Sequence, residues 1–136
     1  MTFANKLVGL SAAMLLGACA VLPDTHEPVY LPSEINARPK LYEGRKIQVR
    51  GWVVLRAENR NIWNEKSDFT NLKDDFSHCL ALIGVHDWTA DENIDGTVLT
   101  ISGVFHQYER ADVNELGMCN NSSIEVDTSK PPFRKR

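Results

Sequence analysis

Two stretches of the chain repeat one pattern of glycines and apolar residues, and this repeat constrains the fold more than any other feature. The first copy runs through Gly44, Ile47, Val49, Gly51 and Val53, and the second, at identical offsets, through Gly96, Leu99, Ile101, Gly103 and Phe105. Apolar residues at every second position predict half-buried strands, and a glycine inside a strand is typical of a bulge or a sharp coil. Two copies are too few for a solenoid. We therefore expect two equivalent long, coiled strands within one small barrel.

Shorter elements surround these two strands. The long strands are expected at 45–56 and 97–108, and shorter strands around Ile62 and Trp63, at 79–85, and around Ile124 and Val126. Ser33 is the expected N-cap of a helix that ends near Arg38, before Pro39. Ser67 is the expected N-cap of a second short helix, with Phe69, Leu72 and Phe76 on its apolar side.

The N-terminal segment has the layout of an export signal. Lys6 precedes roughly ten mostly apolar residues, which are too few to span a bilayer as a helix. The sequence Leu16-Gly17-Ala18-Cys19 that follows resembles the lipobox of bacterial lipoproteins. The resemblance implies cleavage before Cys19 and lipidation of Cys19, and Ala20 in place of an aspartate implies the outer membrane, facing the periplasm. The alternative is a soluble periplasmic protein with an incidental cysteine.

This interpretation divides the chain into four parts. We expect a lipoprotein signal peptide at 1–18, a lipidated, proline-containing tether at 19–32, one domain at 33–128, and a flexible basic tail at 129–136. The formal net charge is −3, which argues against binding to polyanions such as nucleic acid. Two or more acyl chains on Cys19 would hold the protein stably at a membrane.

Lipidation of Cys19 leaves two of the three cysteines, Cys79 and Cys119. An even pair in an oxidising compartment predicts a disulfide. The bond would close a loop of about 40 residues and contribute about 4 kcal/mol in the chain-entropy account. The alternative is a catalytic or metal-binding thiol, for which neither cysteine has CxxC spacing.

The strand pattern resembles a known family. The stretches Tyr42–Gly51 and Asp95–Gly103 are similar to the first and fourth strands of small OB-like domains in bacterial lipoproteins, over roughly residues 31–128. The resemblance implies a mainly β fold, a small five-stranded OB-like Greek-key barrel with one or two short helices. The sequence departs from it in one respect, because the second expected helix lies between strands two and three rather than between strands three and four.

OB barrels bind ligands along the outside of strands two and three. The candidate binding surface therefore contains Trp52 and Trp63, with Arg50, Arg56 and Arg60, and Trp88 is a further candidate. Aromatic rings stack on sugars and bases, and arginines pair with anions. Trp52 is the residue most expected to be exposed, because it alternates with Ile47 and Val49. The alternative is that at least two of the three tryptophans are buried.

Sequence motifs for metal binding and catalysis are absent. The histidines His26, His78, His86 and His106 form no pair with ligand spacing, and the acids Asp87, Asp91, Glu92 and Asp95 do not fit a calcium loop. Ser77 and His78 are neighbours, but adjacent strand residues point to opposite faces, and there is no GxSxG elbow or phosphate-binding glycine loop. We expect no enzyme activity, no metal and no cofactor.

These features favour a membrane-anchored periplasmic binding module that recognises another envelope protein. Two alternatives remain open at this point. One is an immunity or inhibitor lipoprotein that blocks a periplasmic enzyme, and the other is a barrel that binds glycans or oligonucleotides through its tryptophans and arginines.

Overall fold

The computed structural model describes residues 27–56, 59–71, 75–88, 93–108 and 119–130 of the 136-residue chain. The expected signal peptide, Cys19, most of the tether and residues 131–136 of the expected tail lie outside these ranges. The elements are, in chain order, β1 (Val29–Tyr30), α1 (Pro32–Ala37), β2 (Lys46–Val54), β3 (Asn61–Trp63), α2 (Lys66–Thr70), β4 (Cys79–Ile83), β5 (Val98–Gln107) and β6 (Ser122–Val126). Short 3-10 turns lie at Pro39–Leu41, Phe76–His78, His86–Trp88 and Cys119–Asn121. No helix within these ranges is long and apolar enough to cross a membrane.

Five of the strands close into a barrel. The order is β2-β3-β4-β6-β5, and β5 pairs again with β2. The β4–β6 pair is parallel and the other four pairs are antiparallel. This connectivity is that of an OB-like barrel, so the predicted fold class is confirmed. β1 adds a short parallel pairing to β2, through Val29 with Gln48 and Tyr30 with Val49, within the segment 19–32 that was expected to be a tether.

The inward faces of the strands form the main core, and the predicted alternation of the first long strand is confirmed. Ile47, Val49 and Val53 are buried in this core, and Leu55 continues the series just after β2 ends. On the facing strand, Leu99, Ile101 and Phe105 occupy the equivalent positions, and all three are at most 2% exposed. The repeat in the sequence therefore lines the inside of the barrel.

The two copies of the repeat pair with each other. Val49 faces Ile101 at the centre of the β2–β5 ladder, and the mid-strand glycines Gly51 and Gly103 face Leu99 and Ile47 on either side. Each mid-strand glycine also allows the next strand to approach closely. A Cβ at Gly51 would overlap the backbone carbonyl of Trp63 in β3, and a Cβ at Gly103 would overlap that of Glu125 in β6. These overlaps explain why both long strands need glycine in the middle.

Both predicted N-caps are wrong. α1 begins at Pro32, after Leu31, and the Ser33 hydroxyl accepts a hydrogen bond from Asn64 Nδ2 at 2.8 Å. α2 begins after Glu65, and the Ser67 hydroxyl donates to the Glu65 carboxylate. α2 also ends at Thr70, so Phe69 lies in α2 and Phe76 lies in the separate 3-10 turn that precedes β4. Leu72 lies outside the described residues. Neither serine hydroxyl caps a helix start, because that of Ser33 is bonded to the distant Asn64 and that of Ser67 to the nearby Glu65.

The connection that usually carries a helix in OB barrels is the one between strands three and four, here between β4 and β5. Among the residues described there, 84–88 and 93–97, the structure shows only the 3-10 turn at His86–Trp88. α2 lies between β3 and β4, as the sequence pattern predicted.

Candidate binding surfaces

OB barrels bind ligands along the outside of strands two and three, here β3 and β4, and in this protein that face is buried together with Trp52 on the neighbouring β2. Trp52, Trp63 and Cys79 form one row across the three strands, since Trp52 pairs with Trp63 and Trp63 pairs with Cys79. Their exposed fractions are 7%, 0% and 0%. The expectation that Trp52 is exposed is therefore wrong, and at least two of the three tryptophans are buried.

Two aromatic residues from the β3–β4 connection cover this row. Phe69 on α2 lies with its ring centroid 5.4 Å from that of Trp52 and 5.7 Å from that of Trp63, and Phe76 lies 6.5 Å from Trp63. Together with Val54 and Cys119 these residues form a second apolar cluster outside the barrel. We call this cluster of Trp52, Val54, Trp63, Phe69, Phe76, Cys79 and Cys119 the outer cluster.

Cys79 and Cys119 form a disulfide in the outer cluster, as predicted, with their Cα atoms 5.0 Å apart. Both cysteines are fully buried. Cys79 is the first residue of β4, and Cys119 lies in the turn that leads into β6. The bond therefore ties the end of the covering connection to the strand that runs parallel to β4.

Hydrogen bonds from α1 hold both ends of the connection between β3 and β4, which we call the cover. Asn36 Nδ2 donates to the carbonyl oxygens of Ser77 at 2.7 Å and Cys79 at 2.8 Å. Asn64, at the start of the cover, accepts a bond from the Ser33 backbone N–H at 3.0 Å, in addition to its bond with the Ser33 hydroxyl. The helix before the barrel and the cover over its outer face are therefore one packed unit.

A contact between Asp68 and His78 connects α2 with the 3-10 turn at Phe76–His78. His78 Nδ1 lies 3.0 Å from Asp68 Oδ1. The hydrogen bond with Asp68 raises the pKa of His78, and the charges of Asp68, Asp75 and Glu65 act in the same direction against partial burial. Ser77 and His78 lie on a 3-10 turn and not on a strand. The Ser77 backbone N–H donates to Asp75 and its carbonyl accepts from Asn36, so both contacts hold the turn in place.

The three candidate arginines do not form one surface with the tryptophans. Arg56 pairs with Asp95 at 3.1 Å in the connection that follows β2, and Arg60 Nη1 lies 2.9 Å from His86 Nδ1. Burial raises the pKa of Asp95, but the Leu55 backbone N–H and Arg56 outweigh it, so this pKa lies below its ordinary value. Trp88 packs against the main core.

Arg50 occupies a different position, in the middle of the outward face of β2. Its direct neighbour on β5 is Thr100, and the adjacent pair on the same face is Gln48 with Ser102. Thr100 and Ser102 are 1% and 6% exposed, whereas Arg50 is half-buried. The Nη1 atom of Arg50 is buried and has no hydrogen-bond partner. We call the four residues Gln48, Arg50, Thr100 and Ser102 the polar face.

Metal-binding geometry is absent from the part of the chain that the structure describes, where no group of three or more His, Cys, Asp or Glu side chains could hold an ion. His26, Asp91 and Glu92 lie outside that part. His106 lies between Glu43 and Glu125, 3.6 Å from one carboxylate and 3.5 Å from the other, but these contacts are on opposite ring nitrogens.

Two features of these surfaces were not predicted from the sequence. The cover was missed in part, because the spacing of Phe69 and Phe76 indicated an apolar side without indicating what it packs against. The polar face was missed because Thr100 and Ser102 are far from Arg50 in sequence, although the alternation of the two strands could have placed them on one side.

The fold and these surfaces define a class of protein, a small OB-like barrel whose usual ligand face is closed by its own chain. Comparison of the sequence with protein-family models, with curated proteins and with solved structures found no match.

Proposed function

We propose that this chain is an envelope lipoprotein whose OB-like domain binds another envelope protein. One observation carries the choice of a protein partner: the outward tryptophans Trp52 and Trp63, whose rings would stack on bases or sugars in a ligand-binding barrel, are buried beneath Phe69 and Phe76. A partner must therefore bind elsewhere, on a surface made of strand faces and charged connections.

The charges of the domain support the same choice. Nucleic-acid binding needs several cations free to contact phosphates. Here Lys46 is paired with Asp127 at 2.7 Å, Arg56 is paired with Asp95, and the whole chain carries a net charge of −3. A protein surface, in contrast, can be recognised by a few polar groups within a folded face.

The location of the protein rests on the N-terminal pattern. Leu16-Gly17-Ala18-Cys19 supports an acyl anchor on Cys19, and a disulfide between Cys79 and Cys119 fits a compartment outside the reducing cytoplasm. An anchored barrel of this size would meet partners that lie close to the membrane surface.

The test uses the full-length, processed protein extracted in mild detergent from cells. After in vivo chemical crosslinking, we expect one envelope protein to be recovered with the wild type in stoichiometric amounts. Saturable binding of single-stranded DNA or of peptidoglycan fragments to the same preparation would contradict the proposal.

A Cys19→Ser variant provides the control for location. We expect this variant to leave the membrane fraction and to lose the incorporation of labelled palmitate. A membrane-bound, unlabelled Cys19→Ser protein would contradict the anchor while leaving the choice of partner class open to the crosslinking result.

A further inference from the structure

Arg50 differs from Arg45, Lys46, Arg56 and Arg60 because its side chain has no hydrogen-bond or ion-pair partner among the described residues. Lys46 and Arg56 have carboxylate partners, the Arg45 guanidinium donates to the Leu41 carbonyl at 3.1 Å, and Arg60 contacts His86. Arg50 has no ion pair and no hydrogen bond within the described residues, and its Nη1 atom is shielded from solvent. A buried, unpaired guanidinium nitrogen is costly, so its presence needs a reason.

The surroundings of Arg50 are polar on the outside of the sheet. Thr100 lies directly across from it, and Gln48 and Ser102 form the next pair along the same face. Gln48 is fixed by a 3.0 Å bond from its Nε2 to Glu27 Oε2. Because one of its nitrogens is already desolvated, the guanidinium would lose less hydration when its other N–H groups bond an incoming acceptor.

We propose that Arg50 and the polar face around it form a binding site for a single carboxylate of a protein partner. Because Nη1 is shielded, the carboxylate would bind the edge formed by Nε and Nη2, whose two parallel N–H donors match it. We expect the site to bind one carboxylate and not several, since Lys46 on the same face is already paired with Asp127. The net charge of −3 also disfavours a highly acidic ligand. This inference rests on the proposed function only for the source of the carboxylate.

The direct test is an NMR titration of the full-length protein in detergent micelles, following the Nε–Hε signals of its arginines. Sodium acetate is the probe, and sodium chloride at equal ionic strength is the control for screening. We expect a saturable shift of the Arg50 signal with acetate and none with chloride. Absence of an acetate-specific shift would overturn the site, and tighter binding of inorganic phosphate than of acetate would overturn its assignment to a carboxylate.

Variants separate binding from folding. Arg50→Lys keeps the positive charge but lacks the pair of parallel N–H donors, so we expect acetate to bind about tenfold more weakly. Arg56→Lys is the matched control, because Arg56 already has a partner, and its acetate response should equal that of the wild type. Arg50→Met keeps the stem of the side chain and should unfold at a temperature no lower than the wild type; a clear decrease would assign Arg50 a structural role and overturn the proposal.

Capture experiments distinguish this inference from the proposed function. If the crosslinked partner is lost with Arg50→Met and kept with Arg56→Met, the carboxylate belongs to that partner. If capture is the same in both variants, the Arg50 inference fails while the protein-binding function stands. Acetate binding at Arg50 without any captured protein would support the site and contradict the proposed function.

Discussion

Val49 and Ile101 face each other at the centre of the ladder between β2 and β5, and the structure repeats on either side of this pair. Gly44 donates its backbone N–H to the Phe105 carbonyl at 2.9 Å, and Gly96 donates to the Val53 carbonyl at 2.8 Å. These two bonds are related by the same offset as the sequence repeat. The barrel is therefore built on two long strands that are equivalent in sequence, in pairing and in the close approach of the next strand.

The first prediction concerns Gly51. Gly51→Ala would place a Cβ against the Trp63 carbonyl and within 2.7 Å of Ile62 Cγ1, so a strand must shift. We expect a loss of about 2–3 kcal/mol in the free energy of unfolding, measured by urea denaturation. Gly44→Ala is the control, because a Cβ there meets nothing within 4 Å and only its φ of +69° opposes alanine, at a cost of about 1–2 kcal/mol. Equal midpoints for Gly51→Ala and the wild type would contradict the close approach of β2 and β3.

The second prediction concerns the disulfide. Replacing both Cys79 and Cys119 by alanine should lower the free energy of unfolding by about 3–4 kcal/mol, since the bond closes a loop of 40 residues in the unfolded chain. Urea denaturation of the wild type with a thiol reductant should give nearly the same loss. Mass spectrometry of the exported protein provides the check on the pairing, because two free thiols would show that the bond does not form.

The third prediction concerns pH and His78. Because Asp68 raises the pKa of His78 in the folded protein, the pair stabilises the fold fully below the ordinary value of 6.5, and this contribution is lost as the pH rises through the folded pKa. The expected size is below about 1 kcal/mol, since the His78 side chain is 40% exposed. The measurement is the difference in urea midpoint between the wild type and His78→Gln, from about pH 5.5 to about pH 8.5. Asp68→Asn should remove most of this pH dependence, because Asp68 is the largest cause of the raised pKa, and a difference that grows with pH in the wild-type background would contradict the assignment.

The fourth prediction concerns Asp127. The hydrogen bond from Lys46, followed by that from Ser129, lowers the pKa of Asp127 from 3.8 to about 2. The stabilisation from this pair is therefore present above the ordinary value and is lost as the pH falls through about 2. Lys46→Gln should move the pKa back toward 3.8, as measured by NMR titration of the Asp127 carboxyl carbon. Ser129→Ala should cause a smaller increase, and an unchanged pKa in Lys46→Gln would contradict the role of this ion pair.

Much of the barrel could be predicted from local patterns. Alternation placed the inward residues of β2, and the shared offsets of Gly51 and Gly103 indicated two equivalent strands, because both features depend on neighbours along the chain. The helix starts could not be predicted in the same way. Ser33 has the residue type of an N-cap, but a distant residue, Asn64, takes its hydroxyl.

The surface around Trp52, predicted to bind a ligand, was likewise predicted only in part. The sequence by itself determined that Trp52 lies on the side of β2 opposite Val49, and with Cys19 expected to carry lipid it predicted the pair Cys79 and Cys119. Only the tertiary structure decided that this outward side is covered, since Phe69 and Phe76 reach it from another part of the chain. The physical reason is that alternation fixes which face a side chain is on, whereas its burial depends on what packs against that face.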